Sequence, residues 1–178
     1  LLPERVGGLL SANSLREDLS VGHAVVAGWL ELLERFYYLY RVYPFASQKI
    51  RSLKKEPKLF LWDWSEVPGE GPRFENLVGS HLLKFVHWLH DHEGWKTELR
   101  YLRDRDGHEV DFLITAAGKP WFAVECKLSE AKPNPALLHF GKRVGIPYLY
   151  QVISTKGVDR MQAGVRVISA DKFTTALV

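Results

Sequence analysis

Apolar residues change period several times along this chain, and each change marks an element. Ser14-Leu-Arg-Glu17 has capping-box spacing and predicts a short helix over about 14–19, closed by the turn Ser20-Val21-Gly22. From His23 to about Phe36 the apolar residues fall at Val25/Val26, Trp29/Leu30, Leu32/Leu33 and Phe36, the recurrence of an amphipathic helix. Tyr37 to Pro44 is aromatic and β-branched, and Lys58-Leu-Phe-Leu-Trp-Asp63 is mostly apolar. Both read as strands. Val67 to Pro72 is the clearest loop, so a domain boundary is expected there, dividing 1–66 from 67–178.

Beyond it, Phe74, Leu77/Val78, His81/Leu82, Phe85 and Trp88/Leu89 predict a long helix to about Asp91, with Gly94 as its stop. Strands follow at Thr97–Arg103, Glu109–Ile114 and Trp121–Lys127, joined by Asp104-Arg105-Asp106-Gly107 and by Ala116–Pro120. A helix from Pro135 to about Val144 and strands at Tyr148–Ile153 and Val165–Ser169 complete the chain. The first part therefore has the helix, turn, helix, strand order of a winged-helix-like segment. The second reads helix, three strands, helix, strand. The fold class expected is α/β.

Composition narrows the classes. Of 178 residues 46% are hydrophobic and 25% charged, which suits a globular chain and excludes a disordered or collagen-like one. No run approaches the roughly 18 apolar residues of a membrane span, so no membrane partner is expected. The single cysteine, Cys126, excludes an internal disulfide framework and fits a reducing compartment, the cytoplasm. The chain opens on Leu1-Leu2-Pro3-Glu4, with no initiator Met and no signal-peptide pattern, and an upstream domain is expected.

The net charge of +3 is unevenly spread. Residues 1–60 hold nine Lys and Arg against six Asp and Glu, whereas residues 61–178 hold fifteen of each. Lys49, Arg51, Lys54, Lys55 and Lys58 crowd one segment with only Glu56 opposing them, a run suited to gripping the phosphates of DNA or RNA. Helix 23–36 has no Lys or Arg from His23 to Glu34, which disfavours base readout by that helix.

The candidate chemistry lies in the strands. Side chains alternate along a strand, so Glu125 and Lys127 share one face of Trp121–Lys127, while Glu109 and Asp111 share a face of the preceding strand, opposite Val110, Phe112 and Ile114. If the strands pair, Asp111 and Glu125 converge with Lys127 beside them. Glu-x-Lys by itself is unspecific, since 13 Glu and 12 Lys supply about one such tripeptide by chance. The second copy, Glu56-Pro57-Lys58, is assigned no catalytic meaning. Crowded carboxylates repel one another, and a hard divalent cation with oxygen ligands removes that penalty. A lysine beside such a cation can orient water or neutralise developing charge, which suits phosphodiester hydrolysis. The plain structural alternative is a sheet face of ordinary ion pairs.

Residues 73–169 resemble the PD-(D/E)XK nuclease superfamily, with Glu75 in Phe74-Glu-Asn-Leu-Val78, Asp111 in Glu109-Val-Asp-Phe112, and Glu125 and Lys127 in Val124-Glu-Cys-Lys127. Nearly the whole chain resembles the uncharacterised C-terminal region of prokaryotic AAA-type P-loop ATPases through these phrases, Leu59-Phe-Leu-Trp-Asp63 and Glu109-Val-Asp-Phe-Leu113. The resemblance implies a winged-helix-like part followed by a restriction-endonuclease-like αβββαβ core. It also implies Mg (or Mn) held by Asp111 and Glu125, with Lys127 and Glu75 as further catalytic residues and an ATPase domain upstream. A regulatory or homodimerising module of that ATPase is the other function expected. No P-loop motif occurs here, so ATP belongs to the upstream domain alone.

Three smaller features remain. His87, His90 and His92 bunch near a helix end, where a metal pair is one reading and favourable interaction with the helix dipole the plainer one. Cys126 alternates away from Glu125 and reads as a core residue. Lys142 and Arg143 read as surface cations able to face a phosphate backbone.

Overall fold

The computed structural model describes residues 1–46, 56–129 and 132–177. Lys49, Arg51, Lys54 and Lys55, the predicted nucleic-acid-binding residues, lie outside the described residues. The architecture is mixed α/β. Its helices are α1 (Ala12–Leu19), α2 (His23–Arg35), α3 (Glu70–Glu93), α4 (Pro135–Phe140) and α5 (Ala170–Thr175). Its strands are β1 (Leu39–Pro44), β2 (Lys58–Leu61), β3 (Thr97–Arg103), β4 (Glu109–Ala116), β5 (Lys119–Lys127), β6 (Tyr148–Ile153), β7 (Asp159–Gln162) and β8 (Val165–Ser169). They form one eight-stranded sheet in the order β2-β1-β3-β4-β5-β6-β8-β7, parallel at β1–β3, β5–β6 and β6–β8 and antiparallel elsewhere. Segments 1–66 and 67–178 share this sheet, joined through the parallel pairs Tyr43–Arg100 and Pro44–Tyr101.

Each face of the sheet is covered. On one, Phe74, Val78, Leu82 and Val86 of α3 pack with Tyr40, Phe60, Phe112, Ile114, Phe122 and Val124, in a cluster that also takes in Leu15, Val26, Leu30 and Phe173. On the other, Ala136, Leu137 and Phe140 of α4 cover Leu102, Val110, Leu113 and Ala123. No helix among the described residues is long and apolar enough to cross a membrane.

Several local expectations change. The cap of α1 is Ser11, whose hydroxyl accepts from the Ser14 amide at 3.4 Å, so the helix starts before Ser14. The loop 67–72 is partly helical, because α3 begins at Glu70 after Gly69 with φ +82°. Strand β7 precedes the expected last strand, β8, and helix α5 follows it. In α2 the doublets split between faces: Val26 and Leu30 are buried, whereas Val25, Trp29, Leu32 and Phe36 are exposed. Adjacent residues on a helix diverge by about 100°, so a doublet does not say which member faces the core.

Two contacts seat α3 on the sheet. Asn76, fully buried, accepts from the Leu61 amide and donates to the Leu61 carbonyl, both at 2.8 Å, completing the side of β2 away from β1 beyond the bonds that Gly7 and Gly8 make with Leu59. One turn on, Gly79 lets α3 approach closely, since a Cβ there would stand 2.8 Å from Phe112 Cζ and 3.0 Å from the Tyr40 hydroxyl. Gly→Ala inside a helix normally stabilises by roughly 0.5–1 kcal/mol. Here the overlap meets a buried ring, and overpacking of about 1–3 kcal/mol outweighs it. Gly79→Ala is therefore expected to lower stability, read as a fall in the urea midpoint at unchanged slope.

Candidate active site

The site is assembled around a break in strand pairing. In β3, Arg100 and Leu102 are two residues apart, yet their partners in β4, Leu113 and Val110, are three apart. One extra residue therefore sits in β4 at Asp111–Phe112, a β-bulge. It switches the face on which the strand packs. Val110 joins Leu113 in the α4-side cluster, while Phe112 and Ile114 join the α3-side cluster. The expectation that Val110, Phe112 and Ile114 share a face is thus corrected, because strict alternation fails across a bulge. The bulge re-aims Asp111: its Oδ2 accepts from the Cys126 amide of β5 at 2.9 Å, and its Oδ1 lies 3.5 Å from Lys58 Nζ.

Lys58 reads in the sequence as the last cation of the basic run, and the structure gives it a central place among carboxylates. It begins β2, where the strand is expected to start, and its side chain is 2% exposed. Its ammonium lies 2.7 Å from Glu109 Oε1, 3.2 Å from Glu75 Oε1 and 3.5 Å from Asp111 Oδ1, and 5.7 Å from the centre of the Tyr101 ring. Glu109 is bridged in turn to Arg103 at 3.0 Å. Burial works against the Lys58 charge, but Asp111, Glu75 and Glu109 together raise its pKa well above the ordinary lysine value. Glu75 moves the other way for a carboxyl: burial first, then Asp111, push it up to about 8 despite Lys58.

Glu125 and Lys127 form the other half. Lys127 Nζ is 2.7 Å from Glu125 Oε1, and Asn134 Nδ2 donates to the same oxygen at 2.5 Å. Asn134 also caps α4 by accepting from the Ala136 amide, so the helix start orients the carboxylate. The other Glu125 oxygen, Oε2, is buried and has no hydrogen-bond partner among the described residues. Burial first, and Asp111 second, raise the Glu125 pKa above the usual carboxylate range. A cleft of about 440 Å³ opens here, lined by His108, Glu109, Asp111, Glu125, Asn134 and Pro135 among others.

The four residues singled out from the sequence therefore sit in two linked groups: Glu75 with Asp111 through Lys58, and Glu125 with Lys127, with Asp111 electrostatically coupled to both carboxyls. Lys58, Glu109 and Asn134 belong to the same network. The signals for it in the sequence are Lys58 in an apolar strand and Glu109 on the strand face of Asp111. Cys126 packs against the α3-side core, where burial pushes its thiol well up, as suits a core residue. His90 pairs with the neighbouring Asp91 and His92 packs against Trp88, and both histidines are exposed.

The model of a domain of unknown function, DUF4143, matches residues 70–173, more than half of the chain. The chain belongs to this family. A second domain of unknown function, DUF8612, matches residues 1–65, so α1, α2, β1 and β2 precede the DUF4143 region while Lys58 reaches across into its carboxylates. No curated protein and no solved structure matches the chain.

Two outcomes are expected. Lys58→Met leaves three carboxylates without their buried cation and should cost about 3–5 kcal/mol of stability near neutral pH, measured by chemical denaturation. Glu75, raised from about 4.5 unfolded to about 8 folded, binds its proton more tightly in the native state. Its contribution is therefore fully present below the unfolded pKa and lost as pH rises to about 8. Stability of the wild type should fall across that window, and Glu75→Gln should flatten the fall in denaturation midpoints taken at pH 5 and pH 8.

Proposed function

We propose that this chain is a nuclease-like domain, hydrolysing phosphodiesters of DNA or RNA with Mg²⁺ or Mn²⁺ held by Asp111 and Glu125, and attached to an AAA-type ATPase. The observation that carries the reading is the buried, partnerless Oε2 of Glu125 beside Asp111. A buried charged oxygen without a partner is costly, and a hard cation with oxygen ligands satisfies it. The order α3-β3-β4-β5-α4-β6, with Glu75 on α3, Asp111 on β4 and Glu125 and Lys127 on β5, supports a PD-(D/E)XK-like core. The order α1, α2, β1, β2 supports a winged-helix-like part ahead of it.

The bound cation would supply Lewis-acid charge and a more acidic water. The chain's own residues do the rest. Asn134 and Lys127 hold Glu125 by one oxygen, and the other would be the one to hold the cation. Lys127 is half exposed, so its ammonium can meet a phosphate entering the cleft and neutralise charge that develops there. Glu75, with its pKa near 8, can hold or release a proton around neutral pH.

One observation favours the non-catalytic alternative, a regulatory module of the ATPase: Lys58 already neutralises Glu75, Glu109 and Asp111 internally. The two readings differ in a measurement. Titration calorimetry with Mn²⁺ should give a binding heat in the wild type that Asp111→Ala abolishes. Cleavage of plasmid and single-stranded substrates with Mg²⁺ should fall by about 10²–10³ in Lys127→Ala. Absence of Mn²⁺ heat and of cleavage in the wild type would overturn the nuclease reading.

A further inference from the structure

Beside the carboxylates, a second group of ligating side chains converges. Asp104 ends the turn side of β3, and its carboxylate is 2% exposed. Its Oδ1 accepts from the amides of Asp106 and His108, both at 3.0 Å, so the tight turn through Gly107 (φ +86°) fixes it. Its Oδ2 faces two imidazoles: His108 Nδ1 at 3.1 Å and His139 Nε2 at 3.0 Å. His139 comes from the last turn of α4, thirty-five residues away in sequence, and its ring stacks on that of His108 with centroids 4.3 Å apart. Arg143, one turn further along, brings Nη1 to 3.5 Å from Asp104 Oδ2 and 3.4 Å from His139 Nε2.

We infer that Asp104, His108 and His139 bind a borderline transition-metal cation, Zn²⁺ by its ligand preference, at a site separate from the Asp111–Glu125 pair. One oxygen and two imidazole nitrogens within 4.8 Å of one another form a two-histidine, one-carboxylate set. Ligands at about 2.0–2.2 Å from a tetrahedral zinc stand roughly 3.3 Å apart, close to the two Asp104–imidazole distances of 3.1 and 3.0 Å. Imidazole favours Zn²⁺ over Mg²⁺, whereas the all-carboxylate pair favours the harder ion. The supporting shell is in place, because two backbone amides hold Asp104 Oδ1 and leave Oδ2 to the metal. His108 and His139 are 43% and 32% exposed, which leaves an entry path and a fourth position for water. Without metal, the Arg143 guanidinium is the cation in the site. Its side chain is 38% exposed.

The bound ion would tie the β3–β4 turn to α4. His108 also lines the cleft with Asp111 and Glu125, so the tie shapes one wall of the proposed active site without supplying its ligands. The test is Zn²⁺ titration of the chelator-stripped full chain against a chromophoric competitor. One equivalent should bind at micromolar concentration or tighter, with a rise in melting temperature. His139→Gln keeps a hydrogen-bonding group against Asp104 but removes the imidazole. Because losing even an outer partner costs about 10–100-fold, it should weaken Zn²⁺ at least that much, as should Asp104→Asn. Arg143→Ala should tighten binding, and Asp111→Asn and Glu125→Gln should leave it unchanged. Absence of one-equivalent binding in the wild type, or affinity unchanged by His139→Gln, overturns the proposal. So does affinity lost in Asp111→Asn, since the ion would then belong to the carboxylate pair. Bound Co²⁺ gives the control for misfolding: its visible absorption should change band shape in His108→Gln, and an unchanged spectrum also overturns the assignment.

Discussion

A single buried ammonium ties the two parts of this chain where their shared sheet and core meet. Lys58 leaves the edge strand β2 and ends among Glu75 of α3 and Glu109 and Asp111 of β4. The sheet itself is thinly joined at this point, with two residue pairs between β1 and β3. A charge buried to this depth stays only if it is paired, and three carboxylates pair it. The close seating of α3, through Gly79 on Phe112 and Asn76 on the Leu61 backbone, places Glu75 within reach of Lys58. Packing and charge thus depend on the same helix position.

The same arrangement leaves a charge imbalance on the α4 side. Lys58 takes up the carboxylates nearest α3, and Lys127 takes one oxygen of Glu125, but Glu125 Oε2 remains buried without a partner. Raised proton affinities at Glu75 and Glu125 express the same crowding, since burial and Asp111 act on both. That crowding is the physical basis of the metal-centre proposal. Its neighbour, with Asp104 satisfied by backbone amides and histidines, carries no such orphan and owes its chemistry to ligand type instead.

Much of the scaffold was legible because its signals are local. The period of α3, the three strands with their intervening turns and the Asn134-Pro135 start of α4 each follow from a few adjacent residues. What failed were inferences across pairing irregularities and along doublets. Alternation in β4 was counted as unbroken, so the bulge at Asp111–Phe112 was missed. The doublets of α2 left open which residues face inward, and Val25, Trp29, Leu32 and Phe36 proved exposed. Strand β7 and α5 are short, and their formation depends on docking against β8 and the α3-side core.

The amino-acid sequence by itself determined the types of element and the residues able to do chemistry, because helical and strand periods and side-chain acidity are properties of short segments. Glu75, Asp111, Glu125 and Lys127 were visible in that sense. Tertiary structure alone decided their partners. Lys58 looked like one more lysine in a basic run, and it became the buried counter-ion because β2 ends the sheet where α3 and the β4 bulge converge. Asp104, His108 and His139 became one group only when α4 folded back over the β3–β4 turn. Electrostatic relations act through space at a few ångströms, and no spacing along the chain encodes which distant residues will come that near.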